Sequence, residues 1–238
     1  MKERQILMKA GPVNAILAGR QTQDRRPIRP QPIPSSGQWS DLWIVKTDGK
    51  RKGMSCINAT EWDVQYWCKQ WCPYGQVGDR LWVRETFVLE SNFNIGSHLP
   101  PFDDGRPVRW VEDEEFGRYW QQPHYRATDP PPELYYPDRE DGTVKWTPSI
   151  HMPRWASRIT LEITDVRVER VRDISEGDAQ REGWDMSNLP WGHCYDGTHH
   201  ARDWFQELWD SIYGKQGLWW DMNPWVWVLD FKVVQKGD

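Results

Sequence analysis

The stretch from Pro224 to Val234 constrains the fold most, because nearly all of its residues are apolar. Its odd-numbered positions all carry large apolar side chains: Trp225, Trp227, Leu229, Phe231 and Val233. The even-numbered positions also begin with two apolar residues, Val226 and Val228, before Asp230 and Lys232. Successive side chains of a strand point to opposite faces, so this pattern predicts a strand in the middle of a sheet.

Other periodic segments predict the remaining elements. We expect strands over Gln5–Met8, Leu42–Lys46, Arg80–Val88 and Arg158–Val171. In the last of these the apolar positions change parity between Ile163 and Val166, which indicates a β-bulge near Thr164 and Asp165. The spacing predicts helices from Pro12 to a stop at Gly19, after a cap at Thr60, from Ser175 to Gly183, and from Ala201 to Tyr213.

Length and composition set the class of protein. A chain of 238 residues can bury a substantial core without disulfides, and it contains only four cysteines. It has no signal-like N-terminus and no apolar run long enough to cross a bilayer, so we expect a cytoplasmic protein without a membrane partner. We predict one domain over residues 1–238, with insertions at about 30–72 and 90–147.

The second of these insertions carries the acidic residues that give the chain its net charge of −5. The segment between Asp103 and Gly142 contains eleven Asp and Glu residues but only five arginines, and it is rich in proline. One interpretation is a solvated loop in a more basic chain. The other is a lid, in which aromatic residues cover a pocket and carboxylates repel wrong ligands. The aromatic residues concerned are Tyr119, Trp120, Tyr125, Tyr135 and Tyr136.

A dense polar cluster follows the first helix. Arg20, Gln21, Thr22, Gln23, Asp24, Arg25 and Arg26 include no apolar residue, yet they lie between a helix and Pro27. Such a segment is either a solvated loop or a functional site. Its spacing, Gly19-x-Gln21-x-x-Asp24-x-Arg26, resembles the signature G-x-K-x-x-E-x-R of the ASCH family in the PUA-like superfamily. Gln21 and Asp24 depart from that signature.

Three further segments resemble long ASCH proteins encoded by phages and prophages. They are Cys72–Thr86, Pro148–Val171 and Asn223–Val234. The resemblance implies an α+β fold: a small, partly closed PUA-like β-barrel surrounded by short helices, with a long inserted loop region. It also implies binding of RNA, DNA or a free modified nucleoside, with a base held in a pocket at the barrel mouth.

Candidate ligand-binding residues follow from this resemblance and from side-chain chemistry. Gln21 carries a donor and an acceptor for a base edge, arginines suit phosphates, and tryptophans suit stacking. The predicted ligand-binding set is Arg20, Gln21, Asp24, Arg26, Trp82, Arg84, Glu85, Arg154, Trp155, Arg158 and Glu182. For the arginines, an ordinary paired surface role stays open, and Glu85 is as well suited to holding a core arginine as to touching ligand.

Catalysis is the main alternative to binding alone. Small ASCH proteins that resemble this chain in two stretches are amidohydrolases acting on N(4)-acetylcytidine, and their lysine, threonine and glutamate fall at Gln21, Asp24 and Glu182. Because an amide does not titrate in the useful range, Gln21 cannot replace the lysine. Asp24 and Glu182 are then the candidate catalytic pair, sharing a proton. A ribonuclease and a phage morphogenesis or interaction protein are further alternatives.

No cofactor is expected. The sequence contains no P-loop, no dinucleotide-binding glycine fingerprint and no nucleophile elbow. Two groups of potential zinc ligands, one of Cys56, Cys68 and Cys72 and the other of His193, Cys194, His199 and His200, lack the spacing of known zinc sites. We therefore predict no metal site.

Overall fold

A computed structural model of the protein describes residues 1–34, 43–44, 61–92, 105–115, 117–129, 145–185 and 201–236. The chain divides into two compact units. The first comprises residues 1–18, 79–162 and 232–238, and the second comprises residues 19–78 and 163–231. Two long strands, β9 and β10, contribute residues to both units.

The main sheet has five strands in the order β1-β5-β9-β10-β2. Their bounds are Glu3–Leu7 for β1, Gln23–Pro27 for β2, Arg80–Arg84 for β5, Ile159–Arg170 for β9 and Trp225–Lys236 for β10. β1 pairs in parallel with β5, β5 pairs antiparallel with β9, and β10 pairs antiparallel with β2. β10 therefore lies inside the sheet, as predicted, whereas β2 is an edge strand.

The described residues also form two smaller sheets. In the first unit β6 (Phe87–Asn92), β7 (Arg109–Asp113) and β8 (Gly117–Tyr125) form a sheet in the order β6-β8-β7. In the second unit β3 (Ile33–Pro34) pairs with β4 (Trp43–Ile44). The predicted mixed α+β class is confirmed. The described residues contain no closed barrel, because the five-stranded sheet ends at β1 on one side and at β2 on the other.

In the part of the chain that the structure describes, four α-helices lie close to their predicted positions. Their bounds are Ala10–Leu17 for α1, Glu61–Gln70 for α2, Glu176–Arg181 for α3 and Ala201–Tyr213 for α4. Gly19 follows α1 with φ +73°, the left-handed conformation in which glycine is favoured. No helix in the described part of the chain is long and apolar enough to cross a membrane.

Each unit has its own apolar core. In the second unit α3 and α4 pack on β10 through Ala179, Phe205, Trp209, Val226 and Val228. In the first unit a smaller cluster is formed by Phe87, Tyr125, Met152 and Ala156. These cores hold in place the two groups of polar residues that are described below.

Two sequence predictions are refined by the structure. The predicted strand Arg80–Val88 is wrong as a single element, because it divides into β5 and β6. Phe87 pairs with Tyr125 and with Thr147 instead of continuing β5. In β9 the buried positions change from Ile163 to Val166, which confirms the predicted change of parity.

Candidate functional site

Three of the predicted site residues meet at the free edge of β2. Gln21 forms an isolated antiparallel β-bridge with Glu182. The backbone N–H of Arg25 donates to Glu182 Oε2 at 3.3 Å. Asp24 precedes Arg25, and its charge acts on the Glu182 carboxyl. Gln21, Asp24 and Glu182 are 2%, 7% and 6% exposed, so this polar group is almost completely removed from solvent.

Local signals in the sequence place Glu182 at this edge. Ser175 caps α3, and its hydroxyl accepts a hydrogen bond from the backbone N–H of Asp178 at 3.1 Å. Glu182 follows the last turn of α3, and Gly183 has φ +102°, so the chain turns away immediately after the carboxyl side chain. Arg20 supports the turn by donating to the Gly183 carbonyl at 3.1 Å, and it pairs with Asp185.

Arg25 is the main positive partner of Glu182. Its side chain is fully buried, and Nη1 lies 2.9 Å from Glu182 Oε1. Its Nη2 lies 3.1 Å from Glu169 and 3.4 Å from Asp178. One guanidinium therefore faces three carboxyl groups. Pairing of this kind offsets the large desolvation cost of a buried charge only when the surrounding hydrogen bonds are made.

A second layer of charged groups surrounds Arg25. Arg167 pairs with Glu169 at 2.5 Å and also with Asp230, and Arg181 pairs with Asp178. The network contains four cations and five carboxyl groups: Arg25, Arg167, Arg181 and Lys69 with Glu169, Asp178, Glu182, Asp230 and Asp165. It therefore carries one excess negative charge when every carboxyl is ionised.

The pKa values within the network diverge. Burial raises the pKa of Glu182 to about 7, and the Asp24 charge acts in the same direction, although Arg25 opposes both. For Asp178 burial also acts to raise the pKa, but the hydrogen bond from Arg181 and the charge of Arg25 outweigh it and lower the pKa to about 2. Glu182 is thus the carboxyl that takes up a proton near neutral pH.

Aromatic residues lie around the Asp24–Arg26 ion pair. Arg26 Nε is 2.5 Å from Asp24 Oδ2. Burial raises the pKa of Tyr213 to about 12 and also raises that of Tyr74, and both phenols interact with the charges of Arg26 and Asp24. The Trp227 ring meets Tyr74 edge-on, with ring centroids 6.2 Å apart. Neither tyrosine was predicted from the sequence as a site residue, although Tyr74 lies within the family-like segment Cys72–Thr86.

Only one of the two polar atoms of the Gln21 side chain has a hydrogen-bond partner among the described residues. Its Nε2 donates to the Gln23 carbonyl at 2.9 Å. Its Oε1 is buried and accepts no hydrogen bond within the described residues. A buried acceptor without a partner costs roughly 1 to 3 kcal/mol, so such atoms are uncommon in the absence of a water or a ligand. Gln21 therefore offers an acceptor that a bound molecule can use.

The other predicted site residues belong to the first unit. Arg158 is bidentate with Glu85, at 2.9 and 3.0 Å, and both side chains are only 3% exposed. The guanidinium also lies 3.9 Å from the centroid of the Tyr125 ring. Burial raises the pKa of Glu85, against the effect of Arg158. Of the two roles considered for Glu85, this geometry corresponds to the holding of a core arginine.

Trp82, Arg84, Arg154 and Trp155 form cation–π contacts in the first unit. The guanidiniums of Arg84 and Arg154 lie 5.4 and 5.8 Å from the Trp82 centroid, and Arg154 is also bidentate with Glu3. Arg109 lies 5.8 Å from the Trp155 centroid. The predicted site residues therefore fall into two groups. One, of Arg20, Gln21, Asp24, Arg26 and Glu182, lies in the second unit, and the other, of Trp82, Arg84, Glu85, Arg154, Trp155 and Arg158, lies in the first.

Part of the predicted lid belongs to the three-stranded sheet. Tyr119, Trp120 and Tyr125 lie in β8, where Trp120 packs edge-on against Trp110 with centroids 4.9 Å apart, and Tyr125 is buried. Tyr135 and Tyr136 fall outside the described residues, as do Cys56 and the cluster His193, Cys194, His199 and His200. Cys68 and Cys72 are both buried. Within the described ranges no three His, Cys, Asp or Glu side chains are grouped to hold a metal ion.

Comparisons with known proteins gave no match. No protein-family model matches the chain, and neither the curated proteins nor the solved structures include a significant match.

Proposed function

We propose that this chain is a member of the ASCH family and binds a nucleobase at the Gln21–Asp24–Glu182 site. The base belongs to RNA, to DNA or to a free modified nucleoside. In this proposal the five-stranded sheet corresponds to the partly closed barrel of PUA-like proteins. The encoding genome is then a phage or a prophage.

One observation carries the proposal. Gln21 and Asp24 stand at the family's signature positions, and Glu182 stands where the similar small ASCH amidohydrolases have their glutamate. All three are buried at the edge of β2, where Gln21 pairs with Glu182 and the Asp24 charge acts on Glu182. A chance resemblance of spacing gives no reason for the distant Glu182 to form a β-bridge with Gln21. If the chain belongs to the family, Gln21, Asp24 and Glu182 must lie close together in the fold.

The surrounding chemistry supports a heterocyclic ligand. Tyr74, Tyr213 and Trp227 supply aromatic surface near the Asp24–Arg26 pair. Bases bind to aromatic side chains because each base has a π face, worth roughly 1 to 3 kcal/mol per stacked base. Gln21 contributes a carbonyl oxygen without a partner among the described residues. Aromatic rings and unused hydrogen-bonding groups are typical of a site that recognises one base.

A thermal-shift screen against nucleosides and short oligonucleotides tests this proposal. A ligand that binds only the folded protein raises the melting temperature, and the rise grows with the logarithm of the ratio of ligand concentration to Kd. We expect at least one nucleoside to give a concentration-dependent rise in wild type that is lost in Gln21→Met. Gln180→Met, at an exposed position of α3, is the matched control. Equal shifts in wild type and Gln21→Met, or no shift with any ligand, would contradict the proposal.

A second candidate is hydrolysis of an acylated cytidine such as N(4)-acetylcytidine. It is favoured by one observation, the pKa of Glu182, which lies at about 7 beside Asp24. A carboxyl group that titrates near the working pH is suited to proton transfer. Glu182 would take a proton from water as the water oxygen bonds to the acyl carbon. It would return that proton to the amine nitrogen as the C–N bond breaks, which gives cytidine and acetate. Acetate release that Glu182→Ala abolishes would establish this activity, and its absence in wild type would exclude it.

A further inference from the structure

The charge network favours a protonated Glu182. Four cations are linked to five carboxyl groups by ion pairs, so protonation of one carboxyl makes the network neutral. The Glu182 side chain is 4% exposed, whereas Asp178, Asp230 and Glu169 are 13%, 16% and 23% exposed. Because desolvation penalises the charged form most at the most buried position, Glu182 is the acid that carries the proton.

Charged and titratable groups surround Glu182 either directly or through Arg25. Asp24 and Arg25 of β2 act on Glu182 directly, and the Glu182 charge acts on Tyr213 of α4. Asp178 of α3 and Glu169 of β9 pair with the same Arg25 guanidinium, and Arg167 of β9, Arg181 of α3 and Asp230 of β10 pair in turn with members of this group.

A protonated Glu182 has an O–H donor beside the unused acceptor of Gln21. A neutral carboxylic acid donates one hydrogen bond through its O–H group. Gln21 and Glu182 are a β-bridge pair, and directly opposite residues have Cβ atoms about 4.5 to 5.5 Å apart on the same side of the backbone. The two side chains therefore start close together on the same side of the backbone, which is the arrangement that contact with one ring requires.

We propose that the site recognises an uncharged edge of a heterocycle on which an N–H donor stands next to an acceptor. Gln21 Oε1 accepts from the N–H, and the Glu182 acid donates to the neighbouring oxygen or ring nitrogen. This inference rests on the proposed nucleobase binding and specifies the chemistry that it requires. The shared feature occurs as the amide edge of uracil and as the amidine edge of cytosine. Alkylation of the N–H removes it from either base.

This arrangement has a consequence for pH. A ligand that accepts the Glu182 proton binds only the protonated form of the acid. Its affinity is constant at low pH and falls as the pH rises through about 7, with a limiting tenfold loss for each further pH unit. Binding through ionised carboxylates would instead strengthen as the pH rises.

Calorimetric titrations from pH 5.5 to 8.5 test the inference. The probes are two pairs of nucleosides. Uridine is compared with 3-methyluridine to test recognition of the amide edge, and cytidine is compared with N(4),N(4)-dimethylcytidine to test recognition of the amidine edge. We expect one parent nucleoside to bind wild type, with at least tenfold weaker binding of its alkylated form and the stated loss of affinity above pH 7. Glu182→Gln keeps a neutral donor, so it should retain binding and lose the pH dependence. Glu207→Gln, at an exposed position of α4, should behave as wild type.

The outcomes separate this inference from the proposed function. Binding that is independent of pH in wild type, or equal for a parent nucleoside and its alkylated form, would overturn the inference and leave nucleobase binding in place. No binding by any nucleoside or oligonucleotide at any pH would overturn both. The wild-type pH profile needs no variant, so the inference stays testable even if Glu182→Gln does not fold.

Discussion

Arg25 donates two hydrogen bonds to the Glu182 carboxyl group. The backbone N–H of Arg25 donates to Glu182 Oε2 at 3.3 Å, and its guanidinium reaches Oε1 at 2.9 Å. The backbone contact satisfies an outward-pointing N–H group on the edge strand β2, and the guanidinium contact compensates a buried charge. The Glu182 carboxyl group thus provides a hydrogen-bond partner for the edge strand β2 and is also part of the candidate site.

The stability of the protein should depend on pH through Glu182. Its pKa in the folded protein, about 7, lies above the ordinary value of 4.5. Its stabilising contribution is therefore fully present below pH 4.5 and is lost as the pH rises through 7. Glu182→Gln stays neutral, so it should escape this loss, which is on the order of 3 kcal/mol. Urea unfolding of wild type, Glu182→Gln and Glu207→Gln from pH 4 to 8 measures the effect, and parallel profiles for all three would contradict it.

Removal of the Arg25 guanidinium should be strongly destabilising. Arg25→Met leaves three carboxyl groups facing an apolar side chain, and loss of one partner from a buried ion pair costs roughly 3 to 5 kcal/mol. Arg20→Met is the control, because Arg20 is 34% exposed and its pair with Asp185 should contribute less than about 1 kcal/mol. Chemical denaturation of both variants measures the difference. A loss for Arg25→Met no larger than that for Arg20→Met would contradict the described network.

The first unit offers a matched comparison of buried and exposed ion pairs. Arg158–Glu85 and Arg154–Glu3 are both bidentate, but the first pair is 3% exposed and the second about 40%. Arg158→Leu alone should cost roughly 3 to 5 kcal/mol, and the double change with Glu85→Leu should recover much of that loss. Arg154→Leu should cost less than about 1 kcal/mol. Double-mutant cycles on both pairs test this, and similar coupling energies would show that burial does not distinguish them.

Two glycines near Glu182 should respond oppositely to alanine. Gly177 lies within α3, and a Cβ there meets nothing within 4 Å, so Gly177→Ala should stabilise the protein by about 0.5 kcal/mol. Gly183 has φ +102°, a conformation unfavourable for alanine, so Gly183→Ala should destabilise by roughly 1 to 2 kcal/mol. Melting temperatures of the two variants should move in opposite directions. A shift in the same direction would show that the turn after Glu182 adapts to a side chain.

Much of the secondary structure was predictable, because it depends on local signals. The cap at Ser175, the stop at Gly19 and the doubly apolar strand β10 each act within a few residues, and the structure confirms all three. The division of the predicted strand Arg80–Val88 was not predictable in this way. It depends on the pairing of Phe87 with Tyr125 and Thr147, which lie far away in the sequence.

The candidate site was predictable only in part, for the same physical reason. Family-like spacing singled out Gln21, Asp24 and Glu182, which the structure brings together. No local pattern shows that Arg25 faces three carboxyl groups from two other elements, or that Tyr213 from α4 comes near Arg26. Tertiary packing determines these partners of Arg25 and Arg26, so they can be identified only from the structure.

If a base occupies the Gln21–Asp24–Glu182 site, a crystal structure with the best nucleoside from the thermal-shift screen will show it there. We expect the N–H nitrogen of the base, in the ring of uracil or on the exocyclic amine of cytosine, within about 3.2 Å of Gln21 Oε1, and the neighbouring oxygen or ring nitrogen at the same range from Glu182, as hydrogen bonding requires. A nucleoside bound at Trp82 and Arg154, with the Gln21 acceptor unchanged, would contradict the account.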